Sequence, residues 1–345
     1  MTARMLPNSK EHATVVRPDD ARRPSGAVTT VLLRVAQDAT GRYAVLPVML
    51  VVLIVAQVVN SQFLTWPSLN LMLQQNASLG IIAIGLTFVL IGGGIDISVG
   101  ALYAAGASVY TKVALDHGLL YAFCVAMATG VVGGLVNGLL VTKLKFTPFV
   151  ATLGTASLFG GMVVVYAGDL AIAPTNPTFR DLARGSVLGV SNVVIVFLLI
   201  AVVGGFVLHR TAFGRSLFAI GGSFNASHIA GLRTDVVRLA TYVISGVCAT
   251  VAGVIYASQT GISQSDLGGT GVALTTLAIV VLGGTSLYGG EGAMWRTAAG
   301  FTILASITTI FTLLAVTEPV QEVVQGAVVI GALILDASGR NRAVA

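Results

Sequence analysis

The sequence predicts an all-α polytopic membrane bundle, on three observations. Hydrophobic side chains make up 55% of its 345 residues, charged ones only 10%, and the mean hydropathy is +0.90. A soluble domain of this size carries about a quarter charged residues to cover its outside. Fourteen carboxylates do not suffice for that, so soluble enzymes, nucleic-acid binders and disordered proteins are excluded as classes. The net charge of +5 and the pI near 9.4 call for no acidic macromolecule. The basic residues sit in tails and loops, where the retention of Lys and Arg on the cytoplasmic side of membranes accounts for them.

A hydrocarbon core of roughly 30 Å takes about 20 helical residues per crossing, and moved along the chain this ruler gives about ten transmembrane helices. Residues 1–43 are polar, with Pro7, Pro18, Pro24 and many charges, and are expected to form a largely disordered cytoplasmic tail. No small-residue cleavage site follows the first apolar run, so a removable signal peptide is not expected. The membrane domain, 44–335, opens with Ala44–Asn60. Leu79–Gly94 and Val99–Leu115 flank a glycine run; Leu119–Val141 and Phe149–Ala167 follow, joined by a short basic connection. Asn192–Leu208 and Val237–Ser258 bracket the longest inner loop, and Val272–Leu287, Met294–Ala315 and Pro319–Leu335 complete the set before a short tail, 336–345. The second and eighth segments are short enough to be broken or partly re-entrant.

Basic residues test the orientation. With the start inside, Arg4, Lys10, Arg17, Arg22, Arg23, Arg34, Arg42, Lys143, Lys145, Arg210, Arg215, Arg233, Arg238, Arg296, Arg340 and Arg342 all fall on the inner side. Only Lys112, Arg180 and Arg184 fall at or on the outer side. An odd count would place Arg340 and Arg342 outside, so ten spans with both termini cytoplasmic is the expectation.

Two connections are long. Residues 168–191, with two prolines and mixed charge, read either as a solvated outer loop or as part of a docking surface for an external partner. Residues 209–236 form an inner loop of helical character, punctuated by glycines.

Most of the 41 glycines lie within spans, where small residues let helix backbones approach. Gly130, Gly134 and Gly138 repeat every four residues along one face of the fourth span and read as a helix-packing seam. Asp96 is different. A carboxylate at membrane depth costs about 2.5–3.5 kcal/mol on insertion scales, so it lines a cavity or satisfies backbone donors. In IGGGIDISVG, Asp96 or Ser98 would cap the third span while Gly92 and Gly93 make the turn, or the same residues would belong to a gate. The run LAIVVLGG, 277–284, is similar to LTFVLIGG, 86–93, and leads through Gly283, Gly284 and Thr285 into another glycine-rich stretch with an acid, Glu291. The pair suggests an internal duplication of the kind transporters carry.

No catalytic or metal-binding set is expected. GxxxxGK[ST], HExxH and GxSxG are all missing, and His12, His117, His209 and His228 lie far apart in sequence. Cys124 and Cys248 each sit in an apolar run and are read as packing residues. Trp66 and Trp295 fall at expected membrane interfaces. Asp96 is the one deep carboxylate, which disfavours an ion-coupled secondary transporter, although backbone carbonyls at broken helices can hold Na⁺. A membrane-embedded enzyme or scaffold is disfavoured further.

Four stretches in register, IGGGIDISVGALYAAGA, TPFVATLGTASLFGG, GRSLFAIGGSFNASHIAGLRTDVVR and AIVVLGGTSLYGGEG, make the chain resemble the permease subunits of bacterial ribose-type ABC sugar importers, from about Phe63 to Leu335. The resemblance implies a transmembrane subunit in the bacterial cytoplasmic membrane, paired with a second permease copy as homodimer or heterodimer. It also implies separate ATPase subunits, an extracytoplasmic binding protein and a monosaccharide or related solute. No cofactor would be bound by this chain; ATP and Mg would be used by the partner ATPase. The family couples ATP hydrolysis to its pore through an inner-loop helix of EAA-x3-G type, which here reads Asn225, Ala226, Ser227, then Gly231, a degenerate match. Gly221, Gly222, Arg215 and Arg233 flank it. Small residues allow a helix to sit shallowly in a groove, Gly231 ends it, and the arginines supply charge.

Overall fold

The protein is described here by a computed structural model covering residues 43, 45–168, 171–174, 176–264 and 267–317, with individual positions between 319 and 331. The chain parts into two units at the Tyr43–Ala44 boundary, and every element named below belongs to the second. The expectations for the 1–43 and 336–345 tails fall outside the described residues apart from Tyr43, as does much of the expected span Pro319–Leu335.

The helices are α1 (Val45–Val59), α2 (Trp66–Ile91), α3 (Val99–Asp116), α4 (Leu119–Thr142), α5 (Pro148–Ala167), α6 (Asn192–Arg210), α7 (Ala212–Gly222), α8 (Phe224–Ile229), α9 (Thr234–Thr260), α10 (Thr270–Leu282) and α11 (Met294–Leu313). Among the described residues, α2, α4, α5, α6, α9 and α11 are long and apolar enough to cross a bilayer, and α1 and α10 are shorter apolar helices. The chain is thus a multi-pass helical membrane protein. Prolines open α2 and α5, where a fixed φ and a missing N–H suit the first turn.

The second span differs from the sequence reading. It is one continuous helix of 26 residues beginning at Trp66 rather than Leu79. Asn70, Gln74, Gln75 and Asn76 depress the local hydropathy and hide its first half, but the Asn70 and Asn76 side chains are hydrogen-bonded within the fold. Asn76 Nδ2 donates to the Met72 carbonyl at 2.9 Å, and Asn70 Oδ1 accepts from the Ser191 N–H at 3.4 Å. The eighth span, α10, is indeed short at 13 residues.

α9 runs through the middle of the bundle against α2, α3 and α4. Its close approach to α4 depends on glycine: a Cβ at Gly134 would come within 2.6 Å of the Val243 Cα, and one at Gly138 within 2.9 Å of Leu239 Cγ. Gly130 meets Gly246 and Thr250 of α9 in the same way. In lipid, where water provides no drive between helices, such backbone proximity supplies the attraction through van der Waals contact. Cys248 is buried in this region, whereas Cys124 is exposed, so the packing reading holds for one cysteine and not the other.

The 168–191 connection is folded rather than merely solvated. A single 3₁₀ turn (Pro177–Arg180) leads into a turn of helix (Asp181–Arg184) and a hairpin of two-residue strands, β1 (Ser186–Val187) and β2 (Val190–Ser191), a small exception to an all-α fold. Phe179 is buried and stacks on Tyr110 at 5.0 Å. Arg180 Nη2 donates to the Thr260 carbonyl at 2.9 Å, satisfying a free acceptor at the end of α9.

Candidate functional site

Two helix breaks and the 211–233 loop gather at one end of the bundle. α2 stops in a left-handed glycine turn: Gly93 has φ +70°, its N–H donates to the Leu90 carbonyl at 2.8 Å, and the Gly94 N–H donates to the Val89 carbonyl at 2.9 Å. α10 stops the same way. Gly284 has φ +88° and donates to the Val281 carbonyl at 2.8 Å, while the Thr285 N–H donates to the Val280 carbonyl at 3.2 Å. Both are Schellman ends, which glycine adopts without a Cβ penalty. The similar runs LTFVLIGG and LAIVVLGG therefore end in the same backbone geometry. The acids beyond them diverge, because Asp96 is 1% exposed while Glu291 is exposed.

Asp96 sits inside a chain of buried polar side chains. Its Oδ1 accepts from the Ser98 N–H at 3.0 Å and from Ser98 Oγ at 2.6 Å, and its Oδ2 accepts from Ser245 Oγ of α9 at 2.9 Å. Ser98 Oγ accepts in turn from Asn137 Nδ2 of α4 at 2.6 Å, and Asn137 Oδ1 accepts from Thr155 Oγ1 of α5 at 2.6 Å. Thr152 Oγ1, also on α5, accepts from the Ile97 N–H at 3.1 Å. Four elements are thus tied at one carboxylate. Ser245 lies eleven residues into α9, roughly 16 Å from its start at 1.5 Å per residue, so Asp96 is held at membrane depth. The carboxylate takes up the backbone donor at the start of α3, whereas the Ser98 side chain makes no cap bond to that helix.

Of the other expected gate residues, Gly92 is buried and ends α2, and Gly283 packs on the backbone of Arg296 and Thr297 in α11. Thr285 is buried, and its Oγ1 has no hydrogen-bond partner among the described residues.

The 211–233 loop folds into two capped helices. Thr211 Oγ1 accepts from the Gly214 N–H and Ser223 Oγ from the Ala226 N–H, each at 3.3 Å, opening α7 and α8. α8 closes in a third Schellman end, with Gly231 at φ +81° and the Leu232 N–H donating to the Ser227 carbonyl at 3.1 Å. Asn225 and Ala226 are exposed and Ser227 is buried; Arg215 and Arg233 are exposed. Ile229 is 86% exposed at the tip of α8, an apolar residue in a polar loop that sequence reasoning passed over.

The loop meets both breaks through backbone. Gly221, at the end of α7, lies against the Ile91 carbonyl and the Gly290 N–H. The Gly290 N–H itself donates to the Ile91 carbonyl at 2.9 Å, and a Cβ at Gly289 would stand 2.8 Å from the Gly93 Cα. Three chain segments therefore touch where no side chain fits between them. Gly222 borders the same contact, with a Cβ on Gly290 falling 2.8 Å from its Cα. No motif or spacing shows that these glycine pairs meet, nor that Asn137, Thr155 and Ser245 join Asp96.

Among the described residues no group of three His, Cys, Asp or Glu could hold a metal ion. The fold and site define a class, a multi-pass helical membrane protein with interrupted helices and a folded loop braced against the interruptions. The chain belongs to the family described as the permease component of branched-chain amino acid transport systems, whose model matches residues 68–333. It is 36% identical over 289 residues to the ribose import permease protein RbsC of Bacillus subtilis (strain 168), covering 83% of this chain and 89% of that one. It is 32% identical over 296 residues to RbsC of Escherichia coli (strain K12), covering 84% and 91%. The autoinducer 2 import system permease protein LsrC of Salmonella typhimurium (strain LT2) is 33% identical over 285 residues, covering 82% and 81%. No solved structure matches the chain.

Proposed function

We propose that the chain is the transmembrane permease subunit of an ATP-driven ABC importer, translocating a monosaccharide or a related small polar solute delivered by an extracytoplasmic binding protein. The observation that carries this reading is the contact of Gly221 with Ile91 and Gly290, which links an exposed loop helix to both helix breaks. The ribose and autoinducer 2 permeases among its relatives support an importer of sugar-like cargo. The chain lies in the bacterial cytoplasmic membrane with about ten spans and both termini inside. It binds no cofactor itself; ATP and Mg are used by partner ATPase subunits.

The mechanism follows from backbone contact. An ATPase pair that grips α8 at Asn225, Ala226 and Ile229 moves the α7–α8 unit when it closes on ATP. Through Gly221 that motion reaches the ends of α2 and α10, and the Asp96 chain keeps α3, α4, α5 and α9 moving together. Packed interfaces of this kind switch between discrete arrangements rather than deforming continuously. A second permease copy packs on the exposed side of α5, where Gly154, Gly160 and Gly161 meet nothing within 4 Å and a groove of about 760 Å³ runs past Ser157 and Gly161.

The test is Ala226→Asp. Expected is loss of ATP-driven import in proteoliposomes containing the ATPase and binding protein, with thermal stability unchanged because Ala226 is exposed. Import at the normal rate would overturn the coupling role of α8.

A further inference from the structure

A cavity of about 300 Å³ opens where the α4–α5 connection meets the loop and the start of α9, lined among others by Lys145, Phe146, Phe224, Asp235 and Arg238. Its charges do not balance. Lys143 and Lys145 approach the Asp235 carboxylate at 3.3 and 3.7 Å, and Arg238 has no carboxylate within 4.0 Å among the described residues. Three cations thus share one acid. Lys145 and Arg238 also stand over the Phe224 ring from two directions, at 5.8 and 5.6 Å.

Lys145 has φ +59° where the chain turns out of α4, the Phe146 N–H donating to the Leu140 carbonyl at 3.1 Å, and this turn carries Lys145 to the cavity wall. Beside the cavity, Phe146, Phe149 and Val150 expose 54%, 48% and 65% of their surfaces. Cations around a pocket, bordered by bare apolar side chains at the end of a membrane helix, match an anionic phospholipid, with its phosphate in the pocket and its acyl chains leaving past Phe146 at the end of α4.

We propose that this pocket binds the phosphate headgroup of an anionic phospholipid and that the bound headgroup steadies α8 through Phe224. That the lipid belongs to the cytoplasmic leaflet rests on the orientation proposed above; the pocket does not.

The purified full chain would be released from nanodiscs of equal phosphatidylglycerol and phosphatidylcholine and the co-retained lipid counted by native mass spectrometry. Expected is selective retention of phosphatidylglycerol. Lys145→Gln combined with Arg238→Gln should reduce it about thirtyfold, since each cation contributes about 1 kcal/mol near an anionic surface. Lys145→Gly removes a cation while relieving the backbone, so its retention should fall with the fold intact. Arg210→Gln, at an exposed span end, should retain lipid like the parent. Equal retention of the two lipids, or retention unchanged in the Lys145 and Arg238 variants, would overturn the proposal. So would variants that keep the lipid and instead lose co-purifying ATPase, which would make the pocket a protein contact. No ATPase is needed for the lipid measurement, so a failure of ATP-driven import would leave its outcome standing.

Discussion

Asp96 governs the residue scale. It is buried and hydrogen-bonded through both oxygens, to Ser98 and Ser245, and removing the carboxylate leaves their buried donors without that acceptor, at a cost of about 1–3 kcal/mol. Asp96→Ala should therefore lower the melting temperature of the detergent-solubilised protein sharply. Asn137→Leu, which removes one hydrogen bond from Ser98 and one from Thr155, should cost about 1–3 kcal/mol. An Asp96→Ala protein as stable as the parent but reduced in flux would show that the carboxylate serves the gate alone. The importance of Asp96 was legible in the sequence, because a single acid among apolar residues stands out. Its partners were not, since Ser245 and Asn137 are 149 and 39 positions from Asp96 and Ser98, and small hydroxyl and amide residues in apolar spans look like packing until the helices are assembled.

At the scale of elements, the glycine seam of α4 and the exposed tip of α8 make opposite demands. A side chain at Gly134 must push α4 off α9, because the Tyr242 carbonyl and the Val243 Cα already fill the space. Gly134→Val should destabilise by about 1–3 kcal/mol, the usual cost of overpacking, read as a lower melting temperature. Ile229→Asp touches no core. It should leave the melting temperature unchanged while weakening ATPase co-purification, on the order of tenfold for loss of one apolar anchor. Hydropathy located α3 to α6, α9 and α11 to within a few residues, because their apolar runs are uninterrupted. It missed the first half of α2, where the Asn70 and Asn76 side chains find hydrogen-bond partners, and it read 168–191 as a loop because Phe179 and Arg180 are placed by contacts with Tyr110 and Thr260. The Gly221 contact was likewise invisible, since a glycine pair in a loop has the same spelling whether it turns in solvent or lies against another backbone.

For the whole molecule, the structure describes a helical bundle in which an exposed loop helix connects by backbone contact to two helix breaks. α8 is largely exposed, Gly221 at the end of α7 lies against the chain at the ends of α2 and α10, and the Asp96 chain hydrogen-bonds α3, α4, α5 and α9 to one another. On the function proposed above, partner ATPase subunits drive the alternation, since a ligand shifts a two-state equilibrium only by its differential affinity for the two states. The most direct measurement is accumulation in sealed proteoliposomes of the labelled solute that the binding protein carries, with that protein present and with or without the ATPase subunits and ATP. Uphill accumulation should occur only when ATPase and ATP are both supplied, and should vanish in Ala226→Asp; accumulation by the permease alone, driven by a Na⁺ or proton gradient, would contradict the account.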